Sequence, residues 1–141
     1  MHKKPLFWEI FFLFIVVGII NWVAVSRDLY WSIKELDSLV HFLAGILVSL
    51  FFLWLYFFSG FFNPQKRTFR EFFKISLLAV IFVGISWETF ELTLGETKIL
   101  GRHYPYDVTL DIIMDILGAI LGCFYGYLKE VHEREKNNAK R

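Results

Sequence analysis

The chain has 141 residues, of which 56% are hydrophobic and 20% aromatic, and its formal net charge is +1. The apolar residues form runs longer than a soluble core requires, which indicates that lipid is the solvent for most of the chain. A net charge near zero excludes the basic surface of a nucleic-acid-binding protein. A single cysteine, Cys123, excludes an intramolecular disulfide.

Four segments are long and apolar enough to cross a bilayer, which takes about 20 residues of helix. They cover roughly residues 6–25, 38–58, 75–94 and 108–128. Lipid cannot form hydrogen bonds with exposed backbone N–H and C=O groups, so each span is predicted to be a helix. We expect an all-α, four-helix transmembrane bundle over residues 1–128, with a charged cytoplasmic tail at 129–141. The first apolar run is too long for a signal peptide and is expected to remain as a span.

The distribution of basic residues predicts the orientation of the bundle. Lysines and arginines concentrate before the first span, between the second and third, and after the fourth: Lys3, Lys4, Lys66, Arg67, Arg70, Lys74, Lys129, Arg134, Lys136, Lys140 and Arg141. The other two connections carry two basic residues each. By the positive-inside rule both termini face the cytoplasm, and loops 26–37 and 95–107 face outward.

Ionisable residues inside spans are the main functional signal, because each one at mid-bilayer costs about 2.5–3.5 kcal/mol on insertion scales. They occur three or four residues apart, which places each group on one helix face. The groups are Asp37 with His41, Glu88 with Glu91, and Asp107 with Asp111 and Asp115.

The predicted orientation brings these faces to similar depths. At about 1.5 Å of rise per residue, His41 and Asp111 lie roughly 6 Å below the outer boundary and Asp115 roughly 12 Å. Clustered carboxylates need a counter-charge, which either protons or a divalent cation can supply. Mg²⁺, Mn²⁺, Ca²⁺ or Zn²⁺ suits carboxylates together with a histidine. Asp37 or Asp107 alone is typical of a helix N-cap, and His41 alone of an interhelical hydrogen bond.

Two further patterns have structural interpretations. Glycines every four residues along the fourth span, Gly118, Gly122 and Gly126, predict close approach of another helix. The phenylalanine-rich stretch at 51–62 is expected to face lipid. In the loop after the third span, Arg102 and His103 are candidate ligands for a phosphate or carboxylate headgroup.

These motifs resemble those of the VanZ-like bacterial membrane proteins. The matching text is Asp37 to Phe42 for an Asp-x-x-x-His-Phe entry, Glu88 to Glu91 for a Glu-x-x-Gln pair, and Asp111, Asp115, Gly118 and Gly122 in the last span. Glu91 and Asp115 replace the usual Gln and Asn, which is closer to a neighbouring acid-rich group of uncharacterised bacterial inner-membrane proteins. The resemblance implies a helical bundle of the bacterial inner membrane with these residues at its polar centre.

Three functions fit these residues. The first is a metal-dependent hydrolase or transferase acting on a lipid or lipid-linked envelope substrate. Its metal ligands would be His41, Glu88, Asp111, Asp115 and Asp107, and its general base Glu91 or Asp37. The second is a proton- or cation-coupled carrier or flippase, and the third a non-catalytic interaction module. Membrane lipids are the expected partners, and a homo-oligomer would supply a fuller path for a carrier.

Overall fold

The computed structural model describes residues 6–62, 64–94 and 104–139, and within these ranges the regular structure is entirely helical. The helices are α1 (Phe7–Ser26), α2 (Leu29–Ser32), α3 (Lys34–Leu53), α4 (Phe69–Leu94) and α5 (Tyr104–Asn138). A π-helical turn, Trp54–Phe58, continues α3. Four helices in the described part of the chain, α1, α3 with its π turn, α4 and α5, have the length and hydropathy to cross a bilayer. The predicted all-α, four-span architecture is confirmed.

Helix α5 continues about ten residues beyond the predicted end of the fourth span. The continuation carries Glu130, which is buried although it is charged. Its carboxylate accepts hydrogen bonds from Arg67 Nη1 at 3.0 Å and from Arg134 Nε at 2.7 Å. Arg67 also donates to the Phe57 carbonyl oxygen at 2.7 Å. A buried charge is stable only when it is paired in this way, so these contacts fix the end of α5 against the 59–68 connection.

The backbones of α3 and α5 approach each other closely at glycines. A Cβ atom added to Gly118 would lie 2.1 Å from the Phe42 carbonyl oxygen, and one added to Gly45 would lie 2.3 Å from the Asp115 carbonyl oxygen. At Gly122 an added Cβ would lie 2.9 Å from Ser49 Oγ. Small residues permit this approach in lipid, where van der Waals packing holds helices together. The glycine spacing therefore predicted the right contact face of α5.

A cluster of buried hydrophobic side chains consists of Leu53, Phe57, Phe72 and Cys123. The Phe57 and Phe72 rings stack at a centroid distance of 4.0 Å. The expectation that the 51–62 stretch faces lipid is therefore wrong for Phe57, which is 2% exposed. The π turn offsets the helical register at that point, so sequence periodicity alone did not indicate which phenylalanine turns inward.

Helix α1 packs much less closely than the other spans. Of its residues only Ala24 is buried, and its large side chains such as Trp8 and Phe12 are mostly exposed. Two polar contacts attach its ends: Lys129 Nζ donates to Glu9 Oε1 at 2.7 Å, and Tyr30 Oη donates to Asn21 Oδ1 at 2.6 Å. Helix α1 contacts the bundle mainly through α3, and open space remains between these two helices.

The close approach of α3 and α5 generates a stability prediction. We expect Gly118→Ala to lower the free energy of unfolding by about 1–3 kcal/mol, because the new methyl group clashes with backbone that cannot rotate away. Gly18→Ala is the matched control, since nothing lies within 4 Å of a Cβ added there. Both changes gain the same helix propensity of about 1 kcal/mol. Thermal unfolding in detergent measures the difference, and equal melting temperatures would contradict the contact.

The orientation generates a second prediction. In a Cys123→Ala background, Ser32→Cys should react with a membrane-impermeant maleimide in intact cells, because the 26–37 loop faces outward. Lys66→Cys should react only after the cells are opened. Both positions are exposed, so burial does not bias the comparison. Labelling of Lys66→Cys in intact cells would contradict the predicted orientation and indicate the reverse one.

Candidate metal centre

A cavity of about 540 Å³ lies between the helices at the end of the bundle that holds the 27–34 connection. All five helices or their connections contribute to its lining. Seven carboxylates and one histidine face it: Asp28, Asp37, His41, Glu88, Glu91, Asp107, Asp111 and Asp115. Six of these acids are those that the sequence placed on three separate helix faces, and Asp28 is an addition from the 27–28 connection.

His41 lies between two carboxylates of α5. Its Nδ1 atom is 3.4 Å from Asp115 Oδ2, and its Nε2 atom is 3.9 Å from Asp111 Oδ2. All three side chains are nearly buried, with exposures of 11% for the histidine and 12% for each aspartate. The four-residue spacing of Asp111 and Asp115 puts both on one face of α5, and the glycine contact brings that face against α3. The imidazole can therefore interact with either carboxylate.

Three helices each contribute one potential metal ligand to a compact group. An oxygen or nitrogen atom from each of His41, Glu88 and Asp111 lies within 4.8 Å of the other two. Ligands at Ca²⁺ distances of about 2.3–2.6 Å lie at most about 5 Å apart, so the group already has suitable dimensions. Tetrahedral Zn²⁺ ligands at about 2.0–2.2 Å lie roughly 3.3–3.6 Å from one another, so Zn²⁺ would require a larger contraction of the group. The site matches mixed oxygen and imidazole coordination.

The other predicted site residues surround this trio. Asp115 packs against Gly84 of α4, where an added Cβ would lie 3.1 Å from Asp115 Oδ2, and it contacts His41 rather than joining the trio. Asp107 lines the cavity but is exposed. Glu91 accepts a hydrogen bond from Trp87 Nε1 at 2.9 Å, and Asp37 lies one turn before His41 on α3.

Arg102 and His103, the predicted headgroup ligands, lie outside the described residues. Their assignment stays a prediction.

Sequence reasoning missed the contribution of α1 and the following connection. Asn21 and Tyr30 line the cavity together with Asp28 and are linked by the hydrogen bond described above. Burial, followed by the nearby charges of Asp37 and Glu91, raises the pKa of Tyr30 to about 12. Asn21 is the one amide of α1, and its position inside the span was the available signal.

Residues 4–131 match the family model described as predicted membrane protein (DUF2238). The chain belongs to this family. No curated protein and no solved structure matches it, and the VanZ-like resemblance is not confirmed. With four apolar helices, this DUF2238 protein is a multi-pass membrane protein. The cavity and its acidic residues lie within the matched range.

The environment of Tyr30 generates a third prediction. In the double variant Asp37→Asn with Glu91→Gln we expect the pKa of Tyr30 to fall from about 12 toward the ordinary value, because two negative neighbours no longer oppose ionisation. The measurement is the tyrosinate absorbance as a function of pH, taken as a difference from Tyr30→Phe in each background. An unchanged titration would show that these carboxylates do not face Tyr30.

Proposed function

We propose that this protein is a metal-dependent hydrolase or transferase of the bacterial inner membrane, of VanZ-like type, acting on a lipid or lipid-linked envelope substrate. The observation that carries the proposal is the trio His41, Glu88 and Asp111, which comes from three helices and is held within one cavity. The proposal places a divalent cation among these three side chains.

The charge balance of the cavity supports a cation. Seven carboxylates line it, and among the described residues no lysine or arginine does. His41 can carry at most one positive charge, so the carboxylates of the lining outnumber its cationic groups. Like charges in a low dielectric repel strongly, and a divalent ion offsets two charges at once. Protons are the alternative counter-charge.

The shape and polarity of the cavity support an amphiphilic substrate. One part of the wall is acidic, and another part is formed by aliphatic residues of α1, α3 and α4, such as Val17, Val40, Leu47, Val80 and Val83. A polar group at the cation and a hydrocarbon segment along the valines would each find a matching surface. Because the cavity lies among membrane-spanning helices, lipids reach it without leaving the bilayer.

The proposed chemistry assigns a role to each residue. His41, Glu88 and Asp111 would hold the cation, which would supply Lewis acidity toward a phosphoryl or carbonyl oxygen. Glu91 or Asp37 acts as the general base that takes a proton from an attacking hydroxyl or water. Asp115 orients the His41 ring through Nδ1, as outer-shell carboxylates do for ligating histidines.

Peripheral residues complete the assignment. Asp107 lies at the cavity wall one turn before Asp111 and is a further candidate ligand. Arg102 and His103 are proposed to hold an anionic headgroup.

The direct test of this function is metal binding. We expect Glu88→Gln and Asp111→Asn each to weaken Mn²⁺ binding by more than about 100-fold, since loss of an outer-shell partner alone costs about 10–100-fold. Isothermal titration and elemental analysis of purified protein provide the measurement. Glu71→Gln is the matched control, because Glu71 pairs with Lys74 away from the cavity.

Two results would contradict the enzyme. One is wild-type protein that binds no divalent ion. The other is metal-free protein whose acidic residues support ion flux in liposomes, which would favour the carrier.

A further inference from the structure

A second cavity of about 370 Å³ lies between α1 and α3, and its lining is entirely apolar. It shares Phe14, Leu47 and Val48 with the cavity that contains the acidic residues. At its far end the rings of Phe7 and Trp54 approach to a centroid distance of 5.9 Å. The two cavities thus adjoin along the α1–α3 interface, and together they outline a groove that is acidic at one end and closed by aromatic rings at the other.

The dimensions of this groove limit what it can hold. From His41 to Trp54 the distance along α3 is ~20 Å at the rise of an α-helix. The apolar part, from Val48 to Trp54, is ~9 Å long. A helix is about 10 Å in diameter, as wide as this part of the groove is long, whereas an extended hydrocarbon chain is narrow enough to lie along it. A linear hydrocarbon chain is therefore the occupant that fits.

We propose that this α1–α3 groove binds a single extended hydrocarbon chain of an anionic lipid whose phosphate headgroup lies at the cation site. The inference rests on the proposed function for its headgroup and adds the position and direction of the chain. Continuity with the acidic cavity through three shared residues argues for one ligand that occupies both parts. The chain then points toward the cytoplasmic end of the bundle, in the direction of an outer-leaflet lipid.

Photolabelling tests the groove directly. The probe is hexadecyl phosphate with a diazirine at the end of its chain, in nanodiscs that hold the full chain and Mn²⁺. We expect crosslinks at Phe7, Phe11, Phe51 and Trp54, and we expect unlabelled hexadecyl phosphate to compete with them. Ile10→Trp, which fills the apolar part of the groove only, should reduce these crosslinks about tenfold by overpacking.

Lipid-facing positions provide the controls. Phe12 and Phe82, each 69% exposed, report contact with bulk lipid, which an unlabelled competitor does not displace. Leu78→Trp adds the same indole to an exposed position of α4 outside the groove, and groove labelling should be unchanged. Equal, uncompeted labelling of Phe12 and the groove residues would overturn the proposal.

Mn²⁺ titration of the same samples separates the two proposals. Mn²⁺ binding with uniform labelling contradicts the groove and leaves the cation site intact. Competed labelling of the groove without Mn²⁺ binding supports the position of the chain and contradicts both the metal centre and the placement of the headgroup at a cation.

Discussion

The backbone contact between α3 and α5 is the constraint on which the rest of the structure depends. At Gly45 and Gly118 the two helices approach so closely that no side chain fits between them. Lipid provides no hydrophobic drive for such a contact, so van der Waals packing holds it. The same crossing sets His41 of α3 against Asp111 and Asp115 of α5. Helix packing and the geometry of the cavity are therefore linked, because separating the two helices would also separate these three side chains.

The net charge is close to zero, but acidic and basic residues are distributed unevenly along the bundle. The chain contains 15 basic and 14 acidic residues, and at the end that holds the start of α4 each buried charge is paired, as Glu130 is with Arg67 and Arg134. The cavity at the other end gathers seven carboxylates around His41. Such groups are expensive within a membrane and typically mark ion or substrate sites. The two ends of the bundle therefore differ in their balance of acidic and basic side chains.

The sequence predicted features that depend on local composition and helical spacing. Hydropathy predicted the four spans, and spacings of three and four residues predicted the acidic faces of α3, α4 and α5. The contribution of Asn21 and Tyr30 was not predicted, because a single amide in a span has no partner that spacing can identify. Membership of the trio depends on helix crossing, which sequence spacing does not specify. Helix α5 continues past Leu128, where Glu130 pairs with Arg67 and Arg134, and helical spacing does not specify the contact with Arg67.

Pulsed electron paramagnetic resonance of the Mn²⁺-loaded protein detects whether His41 shares a cation with Glu88 and Asp111. We expect echo modulation from a nitrogen nucleus of His41 coordinated to the ion, since the imidazole and two carboxylates from separate helices would share it. This modulation should disappear in His41→Gln, although that variant keeps Asn21 and the other histidines as sources of nitrogen. Bound Mn²⁺ without nitrogen modulation, or modulation that survives in His41→Gln, would contradict a shared cation at this position.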